Sequence, residues 1–484
     1  MTTSTRADVI VRGGMLVTGQ DITRRDVVIR EGKVVELTDD PSREAGRIID
    51  ASGKYVLPGA IDSHCHPVYN DKMDDYSITA AYGGITTVIA FVGNVRSWGF
   101  DGYTADVIKQ FIDEAEKLSY LDYAIHGTYT PADGDSFNTS VGEIIRMGVI
   151  SFKMFLAYRR RGMEIPEDAM IRIMDLASKD GGMAMVHAEN GPCIDYLIDQ
   201  YTAEGNTSPP YFLRSQPNIL EAEGVNRSAV FSQLLDCPLY PVHLSTKEAM
   251  AVVRRYKGEG LNMFAETCPH YLTLTNDEVL TKGPIGKVGP PLREADDCEA
   301  LWAALADGTI DTIASDSGGT NKRQKLTGGM DATLKDTPAG ATGENIFEGR
   351  YGLNTIEFMV PVVWSYGVNR GRITLPRLVQ VFCENPAKLF GLYPKKGSLN
   401  PGSDADLVVW DPGRVHVVDG QHGNTDHSAF DGFKLLGMPD LTMSRGHVVI
   451  ENDEVVGTKG RGEFLAGDPN TASYARGGHQ ISRP

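Results

Sequence analysis

A chain of 484 residues exceeds what one small domain needs, and a barrel of about 250 residues with an accessory domain accounts for it. Asp and Glu number 64 against 47 Lys and Arg; the net charge of -17 disfavours nucleic acid and favours a small or neutral substrate. With 41% hydrophobic and 23% charged residues, no run of about eighteen apolar residues and no basic-then-apolar N-terminus, the chain is expected to be soluble and cytoplasmic, with no membrane partner. Residues 8–57 then set short apolar runs between turn signals (DVIVRGGMLV, DVVIREGKVVEL, RIIDASGKYVL), which predicts a small all-β unit.

At Pro58-Gly59 the pattern changes, and to about residue 390 strand-like runs alternate with helical periodicity. The runs GAIDSHCH, ITTVIAF, YAIHGTY, VISFKMF, MAMVHAE, YPVHLS, MFAETCP and TIASDS meet the count of about eight strands for a closed barrel. Residues 317–349, rich in Gly, Thr and charge, follow the last of these and predict a long loop over the barrel mouth. After Asn385-Pro386-Ala387-Lys388, strands return in DADLVVWDP, RVHVVDG and LTMSRGHVVIENDEVVG. The predicted class is α/β: a (β/α)8 TIM-type barrel over 59–392, and a small β-sandwich-like domain formed by 1–58 and 393–464. Residues 465–484, polar and Gly-rich, predict a surface arm or a disordered tail. The cysteines 65, 193, 237, 268, 298 and 383 form no CxxC pair, which argues against a disulfide framework or a zinc knot.

Chemistry concentrates at the strand ends. His64 and His66, two apart at the end of GAIDSHCH, point to one face and can grip one metal. Lys153 lies inside ISFKMF, where a buried ammonium must be paired or chemically altered. If carbamylated by carbon dioxide it becomes a carboxylate able to bridge two divalent metals. His187 ends MAMVH, His243 ends YPVH and Asp316 ends TIASD. Taken singly, each has a commoner role as a surface histidine, a snorkelling lysine or a helix-capping aspartate. All six at the end of a barrel where active sites assemble predict a shared metal centre.

With these residues in place, the chain resembles the amidohydrolase superfamily, and within it the dihydropyrimidinase and hydantoinase group. The resemblance runs through VLPGAIDSHCH, GGITTVIAF, SFKMFLAY, VHAENG, VHLS, ETCPHYL, GPPLR and NPAKLFGLYPKKGSLNPGSDADLVVWDP. It implies that His64, His66 and Asp316 bind one metal, that His187 and His243 bind the other, and that a carboxylated Lys153 and a hydroxide bridge them. It also implies that Tyr158, five residues after Lys153, stabilises the oxyanion, and that Asp316 carries the proton from attacking hydroxide to leaving ring nitrogen. The metals implied are two divalent ions, zinc by default, with manganese, cobalt or iron also suited to these ligands. The implied substrate is a dihydropyrimidine, a hydantoin or a related cyclic imide or ureide, and the implied assembly a homotetramer or homodimer.

The chain departs from the group where substrate would be met. Ser317 follows Asp316 where the group usually has histidine, Gly289 stands where serine is common before Pro-Pro-Leu-Arg, and Pro338-Ala339-Gly340 replaces Pro-Asn-Gly. In the group, the positions held here by Gly289 and Ala339 meet substrate through backbone groups, which the resemblance implies for this chain. The text after His66, PVYNDKMDDYS, is also unlike that of the group. Allantoinase and dihydroorotase share the ligands, but Val68 occupies the place where dihydroorotases carry an arginine. A non-catalytic scaffold would be expected to lack ligands that are all present here.

Overall fold

The computed structural model describes residues 6–327, 345–475 and 477–484. Parallel strands at Ala60–Cys65, Ile85–Gly93, Asp122–Thr128, Ser151–Phe155, Met183–His187 and Leu239–Pro241 form one curled sheet in chain order. The strands Glu266–Thr267 and Thr312–Ile313 pair with each other, and parallel bridges Leu239 to Met263 and Cys65 to Ser317 close the ring on both sides. All eight strand-like runs of the sequence thus fall on the barrel, and the closed ring is the (β/α)8 arrangement. These strands are buried along their whole length because helices cover them outside and side chains fill them inside, which is why they read as continuous apolar runs rather than alternating ones.

The interior is packed. Ile89, Phe91, Met183, Met185, Tyr240 and Phe264 share one apolar cluster with Leu389, Phe390 and Leu465, which plug the end opposite the strand C-termini. The residues from 465 onward lie against that end. Leu465 is buried and donates its N–H to Tyr123 O at 2.7 Å, Gly467 N–H to Gly148 O at 2.9 Å, and Tyr474 donates its hydroxyl to Ile150 O and Gly181 O at 3.3 Å. A polar, Gly-rich segment has little to bury, but it needs few apolar contacts when its backbone is tied to the entrances of several barrel strands.

The accessory β structure draws on both chain ends. A sheet of seven strands runs Glu454–Val455, His447–Glu451, Lys434–Ser444, Leu407–Val417, Tyr55–Pro58, Met15–Val17 and Ile22–Arg24, and a sheet of four strands is formed by residues 7–50. Val11, Ile29, Val56, Leu407, Leu441 and Met443 pack between them. The strand at 434–444 begins earlier than the apolar run at 441 indicates, because Gly437 and Pro439 interrupt its pattern at a register shift.

One buried ion cluster joins this structure to the barrel. Lys396 Nζ lies 2.6 Å from Asp122, 2.6 Å from Asp406 and 3.0 Å from Asp404, all buried. Burial pulls the Lys396 pKa down, but the three carboxylates outweigh it and hold the ammonium charged. Lys396→Met, which leaves those carboxylates buried without their shared cation, is expected to cost about 3–5 kcal/mol. Urea denaturation checks this, and an unchanged midpoint would show that the cluster is dispensable.

Candidate metal centre

The predicted residues meet at the C-terminal mouth of the barrel. His64 Nε2 and His66 Nε2 stand 3.1 and 3.2 Å from the same oxygen, Asp316 Oδ1. His187 Nδ1 and His243 Nε2 face each other at 2.9 Å, and the His64 and His243 rings are 5.3 Å apart, which links the two groups. Lys153 Nζ lies 5.0 Å from the rings of Phe91 and Phe155, buried, and with no ion-pair partner among the described residues.

Two carboxylates orient the imidazoles. Glu266 Oε1 accepts from His64 Nδ1 at 2.7 Å and from the His243 backbone N–H at 3.1 Å, and its other oxygen accepts from the Tyr240 hydroxyl at 2.8 Å. Glu189 Oε2 accepts from His187 Nε2 at 3.0 Å. Each contact assigns the ring proton to the nitrogen facing the carboxylate, so His64 Nε2 and His187 Nδ1 present lone pairs inward. Neither glutamate stood out in the sequence, although both sit in the quoted motifs VHAENG and ETCPHYL.

His64 Nε2, His66 Nδ1 and His243 Nδ1 are buried ring nitrogens without a hydrogen-bond partner. His64 Nε2 and His66 Nε2 converging on Asp316 Oδ1, beside the facing His187 and His243 rings in a buried barrel mouth, form a donor set that fits a metal centre. Burial lowers His66 to about 4 and drives His243 well below the ordinary imidazole range, which keeps both neutral and able to ligate. Asp316 is pushed up by burial, but His64 and His66 outweigh this and hold its carboxyl well below the usual range. Burial brings Lys153 down to about 8.

The backbone is strained here. Tyr158, His243 and Asp316 take φ of 69°, 41° and 45°, left-handed values uncommon for residues with a side chain and concentrated at functional sites. Gly289 lines the same pocket as Tyr158. A Cβ at Gly289 would lie 2.2 Å from the Tyr158 hydroxyl, so the side-chain-free position makes room for that hydroxyl at the pocket wall. Asp62 accepts from Ser315 N–H and hydroxyl and from His64 N–H, which ties the first strand to the last beneath the histidines. Ala339 lies outside the described residues.

Residues 55–449 match the Amidohydrolase family. The chain belongs to the amidohydrolase family. A D-hydantoinase of Ralstonia pickettii is 34% identical over 472 residues, 95% of this chain and 98% of the relative. An L-hydantoinase of Paenarthrobacter aurescens is likewise 34% identical over 95% of this chain and 98% of its own. The crystal structure of a dihydropyrimidinase from Brevibacillus agri superposes with a TM-score of 0.88 at 30% identity, covering 96% of this chain and 99% of that one. Among the described residues of this amidohydrolase, no helix is long and apolar enough to cross a membrane.

Proposed function

We propose that this amidohydrolase opens a cyclic amide ring, that of a dihydropyrimidine, hydantoin or related cyclic imide or ureide. His64, His66 and Asp316 would hold one divalent cation and His187 and His243 the other, with Lys153, if carboxylated on Nζ, supplying oxygens to both. The observation that carries this is the meeting of His64 Nε2 and His66 Nε2 at Asp316 Oδ1, with the facing His187 and His243 rings and the buried Lys153 beside them. Zinc suits the mixed nitrogen and oxygen donors, and manganese, cobalt or iron fit them too. When bound, such cations lower the pKa of water and polarise an amide carbonyl.

The protein's residues supply the rest. Asp316 takes the proton of the attacking water and returns it to the ring nitrogen as the carbon–nitrogen bond breaks, so the water oxygen ends in a carboxylate. The Tyr158 hydroxyl, kept protonated by burial, donates to the carbonyl oxygen as charge develops on it. Gly289 and Ala339 offer backbone groups to the imide edge. The names of the relatives, a D- and an L-hydantoinase at equal identity, support a cyclic amide. A cytoplasmic homotetramer completes the proposal.

The test is a panel of dihydrouracil, hydantoins, cyclic imides, allantoin and dihydroorotate with metal-loaded protein. Turnover of dihydrouracil or a hydantoin is expected, abolished by a chelator and restored by zinc, manganese or cobalt. Activity on no ring in the panel would overturn the substrate class.

A further inference from the structure

The loop after the fourth barrel strand carries three consecutive arginines, and the structure treats them differently. Arg159 pairs with Glu164 at 2.6 Å, and Arg160 reaches Asp195 at 3.4 Å and Asp199 at 2.5 Å. Arg161 has no ion-pair partner among the described residues. The left-handed turn at Tyr158 folds it back so that its guanidinium stands 5.4 Å from the centre of the Tyr158 ring, where it lines the catalytic pocket, and its Nε is buried without a hydrogen-bond partner.

Two buried lysines lie next to the pocket-lining residues Val288 and Gly352. Lys287 Nζ donates to the carbonyls of Ile346, Phe347 and Gly349, and Lys325 Nζ to those of Lys287, Arg350 and Gly352, both buried, facing carbonyls rather than carboxylates, and shifted by burial toward the neutral amine. Arg161 acts on Lys287 and Arg350 as a like charge. Arg161 is the guanidinium that lines the pocket, and a protein of net charge -17 that leaves it without an ion-pair partner among the described residues has a place there for an anion.

We infer that Arg161 determines specificity: it selects rings whose exocyclic arm ends in a carboxylate, held by the guanidinium beside Tyr158 while the ring amide faces Asp316. This rests on the cyclic-amide function proposed above. Guanidinium and carboxylate make charge-assisted, two-pronged hydrogen bonds that a neutral amide of the same shape does not match.

The experiment compares the hydantoins of glutamic acid and of glutamine, which differ only in charge at the end of the arm. Wild-type kcat/KM is expected to favour the glutamate ring about tenfold to a hundredfold, carried mainly by KM, and Arg161→Met to bring the ratio near one, with Arg161→Lys between them. Taking the ratio within each variant cancels any general effect of the substitution. Calorimetric binding of the ring-opened products, N-carbamoyl-glutamate and N-carbamoyl-glutamine, gives the same ratio without turnover. A binding preference lost in Arg161→Met, with no ring opened, would sink the catalytic proposal and uphold this one. No preference in the wild type, or a preference that survives in Arg161→Met, overturns it.

Discussion

Lys153→Ala is expected to yield a folded protein that holds at most one divalent ion per chain and turns over cyclic amides at least about 10³-fold more slowly. Lys153 sits in the middle of a strand buried on both faces, with aromatic rings at 5.0 Å and no ion-pair partner among the described residues, and burial outweighs the pull of Asp316 and Glu266 on its charge, so as an ammonium it contributes desolvation cost rather than stability. Removing it therefore need not unfold the barrel, and the loss should appear in metal content. Burial that brings its pKa to about 8 raises the fraction of neutral amine, the form that takes up carbon dioxide. A carboxylate formed there would supply oxygens to both histidine groups and give the second cation the anionic ligand that His187 and His243 lack between them. Elemental analysis beside kcat/KM checks this. A variant that keeps two ions and full turnover would make Lys153 a packing residue and dissolve the bridged centre.

The barrel and its ligands were legible because both depend on local pattern. A strand buried on both faces must be a continuous apolar run, and a polar residue ending such a run must do something at the barrel mouth. His64, His66, His187, His243 and Asp316 announce themselves this way, and Lys153 does so as a charged residue inside such a run. What was not legible depends on partners distant in sequence. Glu266 orients His64 from 202 residues away, and nothing in ETCPHYL says which histidine it meets. Gly289 read as a departure from its relatives, whereas the structure shows that its missing side chain is the space beside the Tyr158 hydroxyl. In the run Arg159-Arg160-Arg161, composition cannot tell the member that turns inward, since the left-handed backbone at Tyr158 decides it. The segment after Leu465 looked too polar to pack because its anchors are backbone hydrogen bonds, which composition does not record.

Asp316→Asn is expected to keep its metal and lose about 10²–10⁴-fold in kcat, the range general acid–base catalysis contributes. Asparagine is the informative replacement for two reasons. At φ of 45° the position needs a residue that tolerates left-handed backbone, which Asn does as readily as Asp and Ala does not. It also keeps a carbonyl oxygen where Oδ1 now faces His64 and His66 at 3.1 and 3.2 Å, so a ligand remains while the proton acceptor is gone. Near-normal metal content with collapsed turnover would separate this residue's two roles, in contrast to Lys153→Ala, where metal and activity are expected to fall together. Turnover within about tenfold of wild type would instead assign proton transfer to another group. Because both residues serve one centre, the double variant should lose little beyond Lys153→Ala alone, since a proton carrier has nothing to act on once the activating cations are gone.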